Sequence, residues 1–253
     1  MSSNRSGQRP SFIESVAAEQ LPTRLTWHLP DTIALLAVPA IFLGGWISSR
    51  ITDDITVRTI CDTIVRIAIF VAVVILNREL LGRHWRAFWS RPWKSMGLVI
   101  VGLVAIQVVI SVLSALLRPL AHEATHGAQQ TLPETTGLGV LVLVSLTPMV
   151  TALIEDFTFR HTLLLKFPVW GHWWSAAALV VTNALLFGAV HINNFGGEWL
   201  LTLTYAGAGL LMNLTYLWTR NIWHVLIMHG LNNFILAGPV TVILVYVLQA
   251  AAG

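Results

Sequence analysis

The feature that most limits how this chain can fold is a succession of apolar runs, most of them close to 20 residues long and nearly free of charge. They fall at 31–49, 57–77, 95–117, 137–166, 173–192, 199–218, 222–237 and 239–252, bounded by proline, glycine or charged clusters. A hydrocarbon core takes about 20 residues of helix to cross, and it offers no water to unpaired backbone groups. Segments of this kind must therefore be helices that satisfy their own N–H and C=O groups. The expected fold is all-α, a polytopic transmembrane bundle of about eight spans. The last two runs are short, and Pro239 between them either breaks or kinks a single span, so seven is the alternative count. Composition agrees: hydrophobic residues make up 55%, charged residues only 11%, and the mean hydropathy is +0.71.

Residues 1–30 read as a polar N-terminal tail and 31–253 as a single transmembrane bundle. The tail lacks the compact apolar stretch and small-residue cleavage site of a signal peptide. Arg78, Arg83, Arg86, Arg91 and Lys94 against Glu79 make the second loop the most basic, which predicts that it is cytoplasmic. With eight spans both termini would then be cytoplasmic. Trp85, Trp89, Trp93, Trp170, Trp173, Trp174, Trp218 and Trp223 flank the spans and read as an interfacial belt. The formal charge of +3 is accounted for by this topology, so no nucleic-acid partner is expected. The only cysteine, Cys61, has no intrachain partner for a disulfide.

Three polar patterns interrupt the oily segments: Glu155-Asp156-x-x-x-Arg160, Phe187-x-x-x-His191 and His229-x-x-x-Asn233. A charged side chain at the centre of a membrane helix costs about 2.5–3.5 kcal/mol, so ionisable groups in three separate spans point to one shared polar cavity. On the first helix, i,i+4 spacing stacks Asp156 under Arg160, while Glu155 projects about 100° away from Asp156. Asp156 can then neutralise Arg160, leaving Glu155 to face the cavity as a base. His229 and Asn233 share a helix face with Asn232 adjacent, and both can aim N–H donors at one point, which suits an oxyanion. Phe187 lies one turn before His191 and can pack against its ring, making His191 a candidate partner for a water held by Glu155. Counted at 1.5 Å per residue from the cytoplasmic ends, Glu155 and Asn233 lie about 17 Å deep and His229 about 10 Å. His191 comes out near 28 Å on the same count, out of step with the others.

The segments Glu155-Asp-Phe-Thr-Phe-Arg160, Leu186-Phe-Gly-Ala-Val-His191 and His229-Gly-Leu-Asn-Asn233, in that order, with Asn221-Ile-Trp223 just before the last, resemble the three signatures of the CAAX protease and bacteriocin-processing family, also called Abi. The resemblance covers about 140–238. It implies an intramembrane endopeptidase with an all-helical catalytic core in the C-terminal half. By that similarity Glu155 activates the attacking water with help from His191, and His229 and Asn233 hold the oxyanion. Asp156, Arg160, Phe187 and Asn232 would support them. The family usually has a second glutamate where this chain has Asp156, a departure that bears on the Arg160 pairing more than on the base. No cofactor is expected. The alternative is a divalent metal such as zinc, held by Glu155, His191 and His229.

His122-Glu123-Ala-Thr-His126 also matches the H-E-x-x-H zinc pattern. It lies between Pro119 and Pro133 with Gly127 directly after it, a poor setting for a long rigid helix, and reads as a solvated outer loop. Neither Glu134, which follows Pro133, nor Glu155 makes a convincing third ligand. His28, His84 and His172 are expected at the headgroup level. His161 would assist Arg160 or face headgroups, and His224 would be interfacial or a donor behind His229.

These readings converge on an intramembrane endopeptidase that hydrolyses a peptide bond in a peptide or protein precursor. It would be integral to a multi-pass membrane location, the cell membrane in a bacterium, with the lipid bilayer and a peptide or protein substrate as its partners. The alternative is a non-proteolytic scaffold or sensor of the same fold that binds a partner protein. A proton-coupled transporter would show paired helix interruptions in two halves, and the sequence has none.

Overall fold

The computed structural model describes residues 10–121, 132–133 and 136–252. His122, Glu123, His126 and Glu134 lie outside the described residues. The described residues form no strand. A short helix α1 (Phe12–Val16) is followed by α2 (Leu29–Ile51), α3 (Ile55–Leu76), α4 (Arg78–Phe88) and α5 (Pro92–Leu117). Then come α6 (Leu138–Ser145) and α7 (Thr147–Asp156), which runs on as a π-helical stretch over Phe157–Leu164. α8 (Trp173–Ala189), α9 (Trp199–Thr219), α10 (Ile222–Leu236) and α11 (Pro239–Ala252) complete the bundle.

The helix starts follow from their capping residues. Asp54 accepts the N–H groups of Thr56 and Val57 at 2.8 and 3.1 Å, and Asn221 Oδ1 accepts that of Trp223 at 3.1 Å. Each satisfies donors that the first helical turn leaves unpaired. Among the described residues six helical stretches are long and apolar enough to cross a membrane, with the continuous run Leu138–Leu164 and the run Ile222–Ala251 each counted as one. α8, shorter and apolar, is the seventh passage.

The span count thus differs from eight, and the reason lies at Gly238-Pro239. α10 and α11 have 15 and 14 residues. At 1.5 Å per residue each is about 22 Å long, short of the roughly 30 Å core. His229 meets Asp156, and one turn later Asn233 donates to the carbonyl of Pro148, so α10 runs antiparallel to α7. α11 then packs on α6, the preceding part of the same neighbouring span. The two helices therefore make one kinked passage.

α8 and α9 pack backbone to backbone. A Cβ on Gly188 would come within 2.6 Å of the Thr202 carbonyl and 2.9 Å of the Ala206 nitrogen, so only glycine allows this approach. Asn183 Nδ2 donates to Phe159 O at 2.8 Å and Asn213 Nδ2 to Val180 O at 3.1 Å, which fixes α8 between the π-helical stretch and α9.

The basic second loop is itself a helix. α4 turns Leu81, His84 and Phe88 inward and leaves its arginines toward water. His84, expected at the headgroups, is fully buried: Nδ1 accepts the Ile222 N–H at 3.0 Å and Nε2 meets Glu19 Oε1 at 3.0 Å. Residues 10–20 are docked on this face as well. Asn221 Nδ2 donates to both Val16 O and His84 O, and the N–H groups of Ala18 and Glu19 donate to Arg220 O. Burial alone would raise the Glu19 carboxyl, but hydrogen bonds from His84 and Arg83 outweigh it and hold the group at about 2. His224 is enclosed between the rings of Phe12 and Phe88, and His161 is buried with Nδ1 3.1 Å from the Tyr216 hydroxyl, so neither faces headgroups.

Candidate active site

Most of the three polar patterns comes together: Glu155 faces His191 and Asp156 faces His229 and Arg160, whereas Asn233 bonds to the Pro148 carbonyl, two turns before Glu155 on α7. Glu155 and Asp156 close α7, immediately before the helix widens into the π-helical stretch, an irregularity that recurs at functional sites. Being adjacent on a helix they project to different sides: Glu155 toward His191, Asp156 toward His229 and Arg160. Glu155 Oε1 lies 3.8 Å from His191 Nε2.

The mismatch in depth between these two groups disappears once side-chain direction is included. Helical side chains lean toward the N-terminus of their own helix. α7 runs toward the end of the bundle that carries α4, so Glu155 leans away from that end, whereas α8 starts there and His191, in the turn after α8, leans back toward it. His191 is further bent by the bond of its Nδ1 to Phe187 O, 2.8 Å long and four residues back. Each side chain covers part of the gap that a count of backbone rise leaves open.

A carbonyl can only accept, so Nδ1 of His191 carries the proton of that bond and a neutral ring presents the Nε2 lone pair to Glu155. Asp156 Oδ1 is shared. It lies 3.4 Å from Arg160 Nε and 3.3 Å from His229 Nδ1. The guanidinium makes no hydrogen bond within the described protein; its carbon lies 4.1 Å from the centre of the Phe187 ring. Phe187 is the hub of the site, with its ring 4.9 Å from His191, 5.7 Å from His229 and 5.4 Å from Phe159. Gly209 makes room for it, since a Cβ there would approach the Phe187 ring to 2.7 Å.

Exposure divides the cluster in two. The side chains of Asp156 and Arg160 are fully sealed, while those of Glu155, His229 and His191 keep 8, 8 and 16% of their surface. The two carboxylates and one guanidinium sum to a single negative charge, so one proton on an imidazole or on Glu155 brings the buried group to neutrality.

Asn233 donates one amide N–H to Pro148 O at 3.0 Å and accepts from Asn232 at 3.0 Å; Asn232 in turn accepts from Gln107 of α5 at 2.5 Å. The second N–H of Asn233 is left over by this count. Gln107 and Tyr205, whose ring lies 4.7 Å from His191, belong to the site and went unread in the sequence. Gln107 did carry a signal, an amide side chain amid the aliphatic middle of α5; Tyr205 carried none.

Glu155, His191 and His229 are the natural ligand set for a metal. As placed they do not converge: among the described residues no group of three His, Cys, Asp or Glu side chains is arranged to hold an ion, because His229 turns to Asp156. No chemical step is therefore routed through a metal.

Residues 137–235, from the start of α6 to the last turn of α10, match the family model described as Type II CAAX prenyl endopeptidase Rce1-like. No curated protein and no solved structure matches the chain. The matched segment holds Glu155, Asp156, Arg160, Phe187, His191, His229, Asn232 and Asn233, and its similarity is to the Rce1-like type II CAAX prenyl endopeptidases, in keeping with the family that the three motifs resemble.

Proposed function

We propose that the chain is an intramembrane endopeptidase in which Glu155 activates a water for attack on a peptide bond. The observation that carries this reading is the 3.8 Å separation of Glu155 Oε1 and His191 Nε2, two acceptors aimed at each other. A water between them donates to both and turns its oxygen lone pairs outward. On attack Glu155 takes one proton, the remaining hydroxide bonds to the carbonyl carbon, and the carbonyl oxygen becomes an oxyanion. His229 Nε2–H and the free Asn233 N–H stabilise that oxyanion, each donor being worth about 10²–10³ in kcat. Asp156 stabilises the imidazolium that this role requires of His229. The C–N bond then breaks as Glu155 returns its proton to the leaving nitrogen.

The substrate is a peptide or protein precursor that reaches the site within the bilayer. Prenylated C-terminal peptides, bacteriocin or pheromone precursors and leader peptides all fit the family resemblance. The basic α4 supports a cytoplasmic N-terminal face. Seven passages then put the C-terminus on the opposite face, in place of the two cytoplasmic termini that eight spans would give. No cofactor enters this mechanism.

The test is cleavage of a peptide library by detergent-purified protein and its Glu155→Gln form, with and without a chelator. Loss of cleavage in a folded Glu155→Gln protein, with the wild type indifferent to chelator, is the expected result. Cleavage that persists in Glu155→Gln refutes the assignment and favours the scaffold or sensor reading.

A further inference from the structure

Hydrolysis consumes one water per bond, and the proposed site is walled by helices, so water needs a route to it. A cavity of about 220 Å³ lies between α2 and α3, lined by Gly45, Ser48, Arg58, Thr59, Asp62 and Arg66. It has room for several waters and polar groups to hold them. A second cavity, of about 180 Å³ between α8 and α9, is lined by Val181, Ala184, Leu185, Leu203, Ala206, Gly207 and Leu210 and is too apolar to serve. The polar cavity lies toward the end of the bundle where residues 52–54 join α2 to α3, opposite α4.

Its inner wall leads to Glu155. Asp62 grips Arg66 at 2.7 and 3.3 Å, and Arg66 Nη1 donates to Thr151 Oγ1 of α7 at 2.8 Å. One turn outward, Thr63 Oγ1 lies 2.7 Å from Thr147 Oγ1. Thr147, Thr151 and Glu155 recur at four-residue intervals, so they form one polar stripe along α7, and Glu155 is its inner end. An arginine, an aspartate and paired threonines at a contact between two membrane spans are costly unless they are used. We infer that this cavity is the water-entry path of the hydrolytic site, with Arg66 and Thr151 as its inner threshold one turn from Glu155. The inference rests on the proposed peptidase reading for its purpose, though not for its geometry.

Gly45 is the place to block the path. A Cβ there would meet only Asp62 Oδ1, at 3.8 Å, so Gly45→Ala is accommodated, while the side chain of Gly45→Leu projects into the cavity. Both residues favour helix over glycine, so neither change threatens α2. In a Cys61→Ala background, Thr151→Cys and Glu155→Cys are each exposed to a membrane-impermeant, charged methanethiosulfonate, and peptide cleavage is followed separately with Thr151 and Glu155 intact. Labelling should slow about tenfold in Gly45→Leu and be unchanged in Gly45→Ala, with kcat falling about tenfold and KM unaltered. Labelling and kcat in Gly45→Leu equal to those in Gly45→Ala would overturn the path, as would failure of both cysteines to label with Gly45 present. If no form cleaves peptide, the peptidase reading falls, and the labelling rates still decide the route.

Discussion

Asp156 offers the sharpest test because one oxygen serves two partners, Arg160 Nε at 3.4 Å and His229 Nδ1 at 3.3 Å, with no solvent access to the acid or the guanidinium. Asp156→Asn removes the carboxylate in contact with a fully buried guanidinium. Breaking a buried pair from one side costs about 3–5 kcal/mol, because the remaining charge is left uncompensated. Replacing both partners by neutral groups of similar volume is close to neutral by the same reasoning. The double variant Asp156→Asn, Arg160→Met should therefore regain all but about 1 kcal/mol of the wild-type stability, its thioether keeping the packing on Phe187. Activity should not follow stability. Both variants lack the charge behind His229, and loss of one oxyanion donor's effectiveness corresponds to about 10²-fold in kcat, or about 2.7 kcal/mol. Denaturant unfolding in mixed micelles measures the first quantity and steady-state peptide cleavage the second. A double variant with wild-type kcat would show that Asp156 serves Arg160 alone. A single variant that loses less than about 1 kcal/mol would show that the buried pair carries no stability.

Three further outcomes follow from particular contacts. Gly188→Ala pushes a methyl group against the Thr202 carbonyl and the Ala206 backbone, an overpacking that costs about 1–3 kcal/mol; it should lower the melting temperature and also kcat, since His191 follows directly on the last turn of α8. Gln107→Leu removes the donor that holds Asn232, so it should reduce kcat about tenfold, with little loss of stability given about 0.6 kcal/mol per interhelical hydrogen bond; equal kcat in the two proteins would remove Gln107 from the site. Glu19 is held at about 2, below its ordinary 4.5, so the stability it contributes is complete above pH 4.5 and is lost as pH falls toward 2. Hydrogen exchange over residues 10–20 should therefore accelerate across that window in the wild type, and Glu19→Gln should exchange fast at every pH.

The spans were legible because hydrocarbon allows few backbone solutions, and the ends of α2, α3, α5 and α9 fall within a few residues of the apolar runs. α4 was hidden because its charge reads as a loop in a hydropathy window, although Leu81, His84 and Phe88 at three- and four-residue spacing mark an inward face. The choice between seven and eight spans stayed open at Gly238-Pro239, where local signals are the same for a kink and for a turn. Only the antiparallel partners of His229 and Asn233 on α7 tell the two apart. The site was legible in its ionisable groups, which a membrane makes expensive and therefore conspicuous. Tyr205 and Gly209 were not legible, because an aromatic ring and a glycine in an apolar helix have ordinary packing uses.

Aspartate in place of the usual second glutamate of the motif acquires a physical meaning from this arrangement. Asp156 sits where α7 packs against α10, beside Gly230, which admits Leu153 with a would-be Cβ contact of 3.2 Å. A side chain one methylene longer would have to displace either His229 or Arg160 to reach both, and in a fully buried pocket overpacking of this kind costs about 1–3 kcal/mol. The short acid therefore belongs with the close α7–α10 pairing, and the two should change together. Asp156→Glu alone should weaken both stability and kcat, and the partner change that relieves it is a smaller side chain at Leu153 or Phe187. If Asp156→Glu is as stable and active as the wild type, the spacing of α7 and α10 is not set by this acid, and the departure from the family pattern is neutral.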